Sequence, residues 1–240
     1  TVSVASAAVA VGVKRFIQCS SMARYGDQGG IQFTEDMTPK PQDPYGIAKV
    51  AAEQVVKNLS LVHGMEVVIL VPHNIIGSRQ RYDDPFRNVA AIMINRMLKG
   101  LQPVIYGDGL QTRSFSFVGD VVNPIWLAAH SEEVLGETIN VGPDDNSITI
   151  LELASTISRI LDFELDPIYM PDRPQEVKHA SCSADKARRL LSYEAQIDVE
   201  TGLREMIEYI RSHGTKDFTY DHRIEILNKK TPRTWIEKII

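Results

Sequence analysis

Residues 67–72 read V-V-I-L-V-P, an unbroken apolar run that reads as a buried strand. What precedes it completes a pattern. Asp43-Pro44 opens a helix, because aspartate accepts from first-turn amides and proline at the first helical position gives up an N–H that has no partner there. That helix runs through K-V-A-A-E-Q-V-V-K-N-L to about His63, and Gly64 can cap it. Further upstream, the Ala/Val-rich residues 3–11 read as a buried helix ending at Gly12. K-R-F-I-Q-C-S (14–20) reads as a short buried strand. The order helix, strand, helix, strand predicts an α/β fold with parallel strands covered by helices.

A second region follows. Residues 85–100 read as an amphipathic helix ending at Gly100. Residues 103–109 read as a strand and tight turn, and R-S-F-S-F-V (113–118) alternates like a strand. Helices are expected over 120–130, 149–162 (capped by Thr149), 183–191 and 200–212, with strands over 137–142 and 166–170. Residues 215–240 are polar and aromatic without a clear period, and read as a tail or a packed arm.

Composition excludes several classes. The net charge of −5 is spread along the chain, so no basic stripe points to nucleic acid. A phosphorylated ligand would need local cations. No apolar run approaches the ~18 residues of a membrane span. Two cysteines, Cys19 and Cys182, imply no disulfide framework and suit a reducing, cytoplasmic setting. His179 and Cys182 have a loose metal-like spacing, but no partner pair follows, so no metal site is expected.

The chemistry-bearing stretch is D-P-Y-G-I-A-K (43–49). On a helix, positions four apart share a face, so Tyr45 and Lys49 stand side by side. A phenol is a poor base at neutral pH, and a neighbouring ammonium favours its ionised form. Ser20 and Ser21 lie at the carboxyl end of a strand, the edge where open α/β sheets bind ligands. By spacing alone, a surface lysine beside a half-buried tyrosine and a strand-end serine satisfying backbone are the favoured reading.

Five ordered motifs carry a resemblance: K-R-F-I-Q-C-S-S-M-A-R-Y-G-D, P-x-D-P-Y-G-I-A-K-x-A-A-E, P-H-N-I-I-G, Y-G-D-G-x-Q-T-R-S-F and D-R-P-Q-E-V-K-H-A-x-C-S-A-D-K-A. In that order they resemble an extended short-chain dehydrogenase/reductase of the NAD-dependent nucleotide-sugar epimerase/dehydratase family, over about residues 1–212. The resemblance implies a Rossmann-type parallel sheet with a smaller α/β substrate-binding lobe. Residues 1–84 would be the C-terminal part of the NAD-binding domain. Residues 85–214 would mainly form the nucleotide-sugar lobe, with some segments returning to the first, and 215–240 a tail without assigned role. The family's glycine-rich pyrophosphate loop is absent from this sequence, which starts within an apolar helix without an initiator Met. The loop and first strands are expected upstream.

Position by position, the resemblance makes Tyr45 the catalytic base and Lys49 the residue that holds the nicotinamide ribose. It makes Ser21 the hydroxyl that bonds the reacting sugar, and Ser20 a cofactor neighbour. It assigns Asn74, Asn88, Arg113 and Arg173 to the substrate, the two arginines clamping the diphosphate, a task guanidinium forks suit. Glu176 and Lys178 are given at most supporting roles. The implied cofactor is NAD and the implied partners are a nucleotide sugar and a second copy of the chain.

The family's dehydratases carry Asp-Glu directly after the Ser/Thr, and its decarboxylases usually a Glu nearby. Here those positions are Met22 and Ala23, which move no protons. Hydride return is then the simplest outcome, and the expected reaction is C4 epimerisation of the UDP-glucose/UDP-galactose type. A dTDP-sugar 4-epimerase, a 4-keto-sugar reductase, and a dehydratase or decarboxylase stand as alternatives. Val71, Pro72-His73, Ser78 and Ser114 depart from the usual filling and leave sugar and base specificity open.

Overall fold

A computed structural model describes residues 1–240 except 87, 146, 174, 175, 222, 223, 225, 229 and 230. In chain order its elements begin with α1 (Val2–Ala10), β1 (Arg15–Cys19), a 3-10 turn (Met22–Arg24), α2 (Pro44–His63), β2 (Glu66–Pro72), β3 (Ile75–Ile76) and α3 (Val89–Leu98). They continue with β4 (Val104–Tyr106), β5 (Thr112–Ser114), β6 (Ser116–Phe117), α4 (Val118–His130), β7 (Thr138–Val141), β8 (Ser147–Thr149) and α5 (Ile150–Leu161). The last are β9 (Ile168–Met170), β10 (His179–Ala180), α6 (Asp185–Leu191), α7 (Val199–His213) and α8 (Arg233–Ile236). The chain divides into two compact units. Unit 1 is 1–75, 114–147 and 177–196, and unit 2 is 76–113, 148–176 and 197–240.

Unit 1 is built on a parallel sheet of order β1-β2-β7. The β2 run is buried on both faces, and its period-two alternation sorts the side chains. Val67, Ile69 and Val71 pack with Ala5 and Ala8 of α1 and Val56 of α2. Val68 and Leu70 pack with Val121 and Ala128 of α4 and Ala187 and Leu191 of α6. This is the expected α/β arrangement, although α1, expected to be a buried helix, buries only Ala5 and Ala8 because only one of its faces meets the sheet. α2 has the expected ends. The Asp43 side chain accepts from the Gly46 N–H at 2.6 Å, and Gly64 caps the other end with φ +72°.

Unit 2 holds the parallel pair β4-β9 together with α3, α5 and α7. The helix expected from residue 85 starts later, at Val89, because the Asn88 side chain caps it by accepting from the Ala90 N–H at 2.9 Å. It is also not amphipathic, since every residue from Ala90 to Met97 is buried. Two of these are polar and have structural work. Asn95 bonds the Tyr82 carbonyl and both backbone groups of Lys216. Arg96 donates to the carbonyls of Gln102 at 2.8 Å and Ile239 at 2.7 Å. The described residues Phe218, Ile239 and Ile240 of the C-terminal arm pack against Ile92 and Val104. The single strand expected over 113–118 is instead two short ones, β5 and β6, broken at the buried Phe115. α5 carries the expected Thr149 cap, completed by Glu152 in a reciprocal capping box.

Among the described residues no helix is long and apolar enough to cross a membrane, and no three His, Cys, Asp or Glu side chains group as a metal site.

Candidate functional site

In unit 1 the ladder of β1 runs on past its end, with the Ser20 N–H donating to the Leu70 carbonyl at 2.7 Å. The chain then turns. Ser21 caps the Met22–Arg24 turn, its hydroxyl oxygen accepting from the Ala23 N–H at 3.2 Å. Ser21 is half-buried. Ser20, expected beside a cofactor, is only 3% exposed and its hydroxyl donates to Glu53 of α2. Its side chain thus supports the turn from the interior rather than offering a hydroxyl to a ligand.

Tyr45 stands in the first turn of α2 with its side chain out, 56% exposed. One turn on, the Lys49 ammonium lies 5.5 Å from the Tyr45 ring centroid and donates to the Cys19 carbonyl at 2.9 Å. Lys49 therefore ties the last residue of β1 to the face that carries Tyr45. Gly46 lets this face come close to the turn. A Cβ there would lie 2.6 Å from the Ala23 carbonyl oxygen.

Behind the turn lies a charged pair that the sequence did not flag. Arg24 is buried and forks onto Glu53, with Nε and Nη2 each 3.0 Å from a carboxylate oxygen. Burial works against the guanidinium charge, but Glu53 and Tyr25 outweigh it and hold its pKa above the ordinary value. An arginine and a glutamate 29 residues apart show no local pattern, so only the tertiary contact reveals them. Met22 packs against the apolar cluster of α1, α2 and β2. Asn74, just beyond β2, donates through its amide to the Ser114 carbonyl at 2.9 Å and to the Met22 sulfur at 3.6 Å.

In unit 2, Arg113 donates to the Thr112 carbonyl at 2.8 Å and to Glu176 at 3.2 Å. Burial lowers its pKa from the ordinary guanidinium value; Glu176 opposes that shift, and the nearby positive charge of Arg173 adds to it. Glu176 is thus a direct partner of Arg113. Arg173 follows β9, its guanidinium carbon 3.9 Å from the Tyr106 ring centroid. Gly107, after β4, has φ +62°, and a Cβ there would lie 2.1 Å from a carboxylate oxygen of Asp172. The glycine is what permits the loop carrying Arg173 to pass. Asn88 serves as the cap of α3 described above.

The structure thus gathers Ser21, Tyr45, Lys49 and Asn74 in unit 1, and Asn88, Arg113 and Arg173 in unit 2. The first set holds an exposed phenol, an anchored ammonium and a half-buried hydroxyl at a strand end, groups that can carry a proton. The second brings two guanidinium groups near each other, an arrangement that attracts anions.

The family profile described as "NAD dependent epimerase/dehydratase family" matches residues 1–142. UDP-glucose 4-epimerase of Mycolicibacterium smegmatis is 29% identical over 215 residues, covering 88% of this chain and 67% of its own length. UDP-N-acetyl-alpha-D-glucosaminuronate decarboxylase of Bacillus cytotoxicus is 32% identical over 213 residues, covering 83% of this chain and 64% of its own length. Among solved structures, UDP-glucuronic acid 4-epimerase of Bacillus cereus, in complex with UDP-glucuronic acid and NAD, superposes with a TM-score of 0.82 at 27% identity. That superposition covers 89% of this chain and 66% of the other. The chain therefore spans about two thirds of the length of the proteins it matches.

Proposed function

Because this chain belongs to the NAD dependent epimerase/dehydratase family, we propose that the protein interconverts the C4 configuration of a UDP-hexose through a 4-keto sugar. Tyr45 takes the proton of the C4 hydroxyl and later returns one. The Cys19 carbonyl fixes the Lys49 ammonium in place beside the Tyr45 ring. The Ser21 hydroxyl bonds the reacting oxygen. Bound NAD would supply the acceptor and donor of the C4 hydride. The residues present suit it: Tyr45 and Lys49 are the groups that would hold its ribose, with an exposed phenol and an ammonium donor aligned along one helix face. Arg113 and Arg173 answer the diphosphate, and Asn74 and Asn88 the rest of the nucleotide sugar.

The observation that carries this reading is the Lys49–Cys19 hydrogen bond, which holds the ammonium beside the Tyr45 ring. The choice of epimerisation rests on the turn after Ser21. Relatives of comparable identity carry epimerase and decarboxylase names, so similarity does not choose between reactions. The side chains of the turn support epimerisation. Met22 is half-buried and packs against an apolar cluster, and the carboxylate bonded to the turn, Glu53, is occupied by Arg24 and Ser20. Neither shuttles a proton, which favours return of the hydride over loss of water or carbon dioxide. A homodimer through α2, which keeps Ile47, Leu61 and Val62 exposed, belongs to the same proposal.

The test is proton NMR of the full-length protein with NAD and UDP-galactose. A growing UDP-glucose anomeric signal at constant total sugar is expected. Loss of sugar signal into a dehydrated or decarboxylated product would overturn the choice of reaction.

A further inference from the structure

We propose that Trp235, in the C-terminal arm, is a positioning residue that aims Arg173 at the diphosphate of the nucleotide sugar. The inference rests on the reading of Arg173 as a phosphate ligand and adds the arm to that function.

Arg173 is held by ring faces. Its guanidinium carbon lies 3.9 Å from the Tyr106 centroid and 6.0 Å from that of Trp235. Its Nε is buried without a hydrogen-bond partner among the described residues. A guanidinium held by π-faces keeps its N–H edge for an acceptor, because the faces attract the charge without consuming donors. A phosphate oxygen is such an acceptor.

Both rings depend on the arm. Trp235 belongs to α8, and its indole meets Phe86 edge-on at 5.2 Å and 72°. The Tyr106 hydroxyl bonds the Thr234 hydroxyl, and Thr234 is fully buried. The end of the arm is fastened in turn. Arg96 donates to the Ile239 carbonyl at 2.7 Å, and the Tyr220 hydroxyl donates to the Ile240 carbonyl at 2.7 Å. Thr234 and Trp235, neighbours in α8, thus reach the two rings that face Arg173.

The test is a double-mutant cycle on UDP binding, measured by calorimetry on the full-length protein with the variants Trp235→Leu, Arg173→Met and the pair. Trp235→Leu is expected to weaken UDP about ten-fold in the native background and less than about two-fold in the Arg173→Met background. Trp235→Phe, which keeps a ring face, is expected to restore affinity to within about three-fold of native, and guards against simple misfolding. Equal losses from Trp235→Leu in both backgrounds would reduce Trp235 to a packing residue and overturn the inference, with Arg173 still a ligand. Native UDP affinity in Arg173→Met alone would remove Arg173 from the site, and would overturn both.

Discussion

The Lys49 ammonium donates to the Cys19 carbonyl oxygen at 2.9 Å, tying the helix that carries Tyr45 to the last residue of β1. A charge fixed by backbone acts on its neighbour more reliably than one on a free side chain. Lys49→Met should therefore lower kcat by about a hundredfold or more, as loss of assistance to a catalytic base does. Steady-state rates of UDP-galactose turnover at saturating NAD check this.

Gly46→Ala should cost activity beyond its effect on stability. The new methyl would meet the Ala23 carbonyl oxygen at 2.6 Å and the Pro41 Cβ at 3.0 Å, so the turn that carries Ser21 must retreat. Overpacking of this kind costs about 1–3 kcal/mol. Urea unfolding reads that loss. A fall in kcat at a concentration where the variant is fully folded reads the displaced Ser21.

The Arg24–Glu53 pair should be needed for folding of unit 1. Both side chains are buried, and truncating one leaves the other charge without its partner. Glu53→Leu should cost about 3–5 kcal/mol, while the double replacement Arg24→Leu/Glu53→Leu should recover much of it. Denaturant midpoints of the three proteins decide. A single variant as stable as the native protein would contradict the account.

His73 gives unit 1 an acid sensitivity. Its burial pushes the imidazole down to about 4 from 6.5, with the Pro143 backbone and the Asp144 charge pulling the other way. The unfolded chain binds a proton that the folded chain refuses. The contribution of neutral His73 is thus complete above about pH 6.5 and is lost as pH falls toward 4, by an amount on the order of 3 kcal/mol. His73→Leu should flatten the stability profile in that window, which unfolding curves at several pH values measure.

Arg113→Ala should weaken UDP about tenfold to a hundredfold, because a charge-assisted phosphate contact is lost. Glu176→Gln should do the opposite or nothing, since it releases Arg113 from its carboxylate partner. Calorimetry with UDP distinguishes them. Unchanged affinity in Arg113→Ala would take that residue out of the site.

What the sequence discloses and what it hides follow from the range of the forces involved. α2 was legible to the residue because its ends are set by local chemistry, the Asp43 cap, Pro44 and the left-handed Gly64. Thr149 announced α5 for the same reason. The start of α3 was misplaced by four residues because Asn88, four positions into the expected helix, is itself the cap. Its all-round burial was hidden because Asn95 and Arg96 look like a polar face until their distant backbone partners are known. Ser21, Tyr45 and Lys49 stand out through the ordered motifs around them rather than through their spacing alone. Glu53, Arg24, Tyr106 and Trp235 were not, because each acts across a separation that leaves no period in the sequence.

The most direct measurement is the rate of C4 inversion by the Tyr45→Phe variant of the full-length protein, with UDP-galactose and NAD, alongside its affinity for UDP. The account predicts a rate about a hundredfold or more below native with UDP affinity unchanged within about twofold, since the variant loses one proton acceptor and no phosphate contact. A Tyr45→Phe variant that turns over at close to the native rate would contradict it.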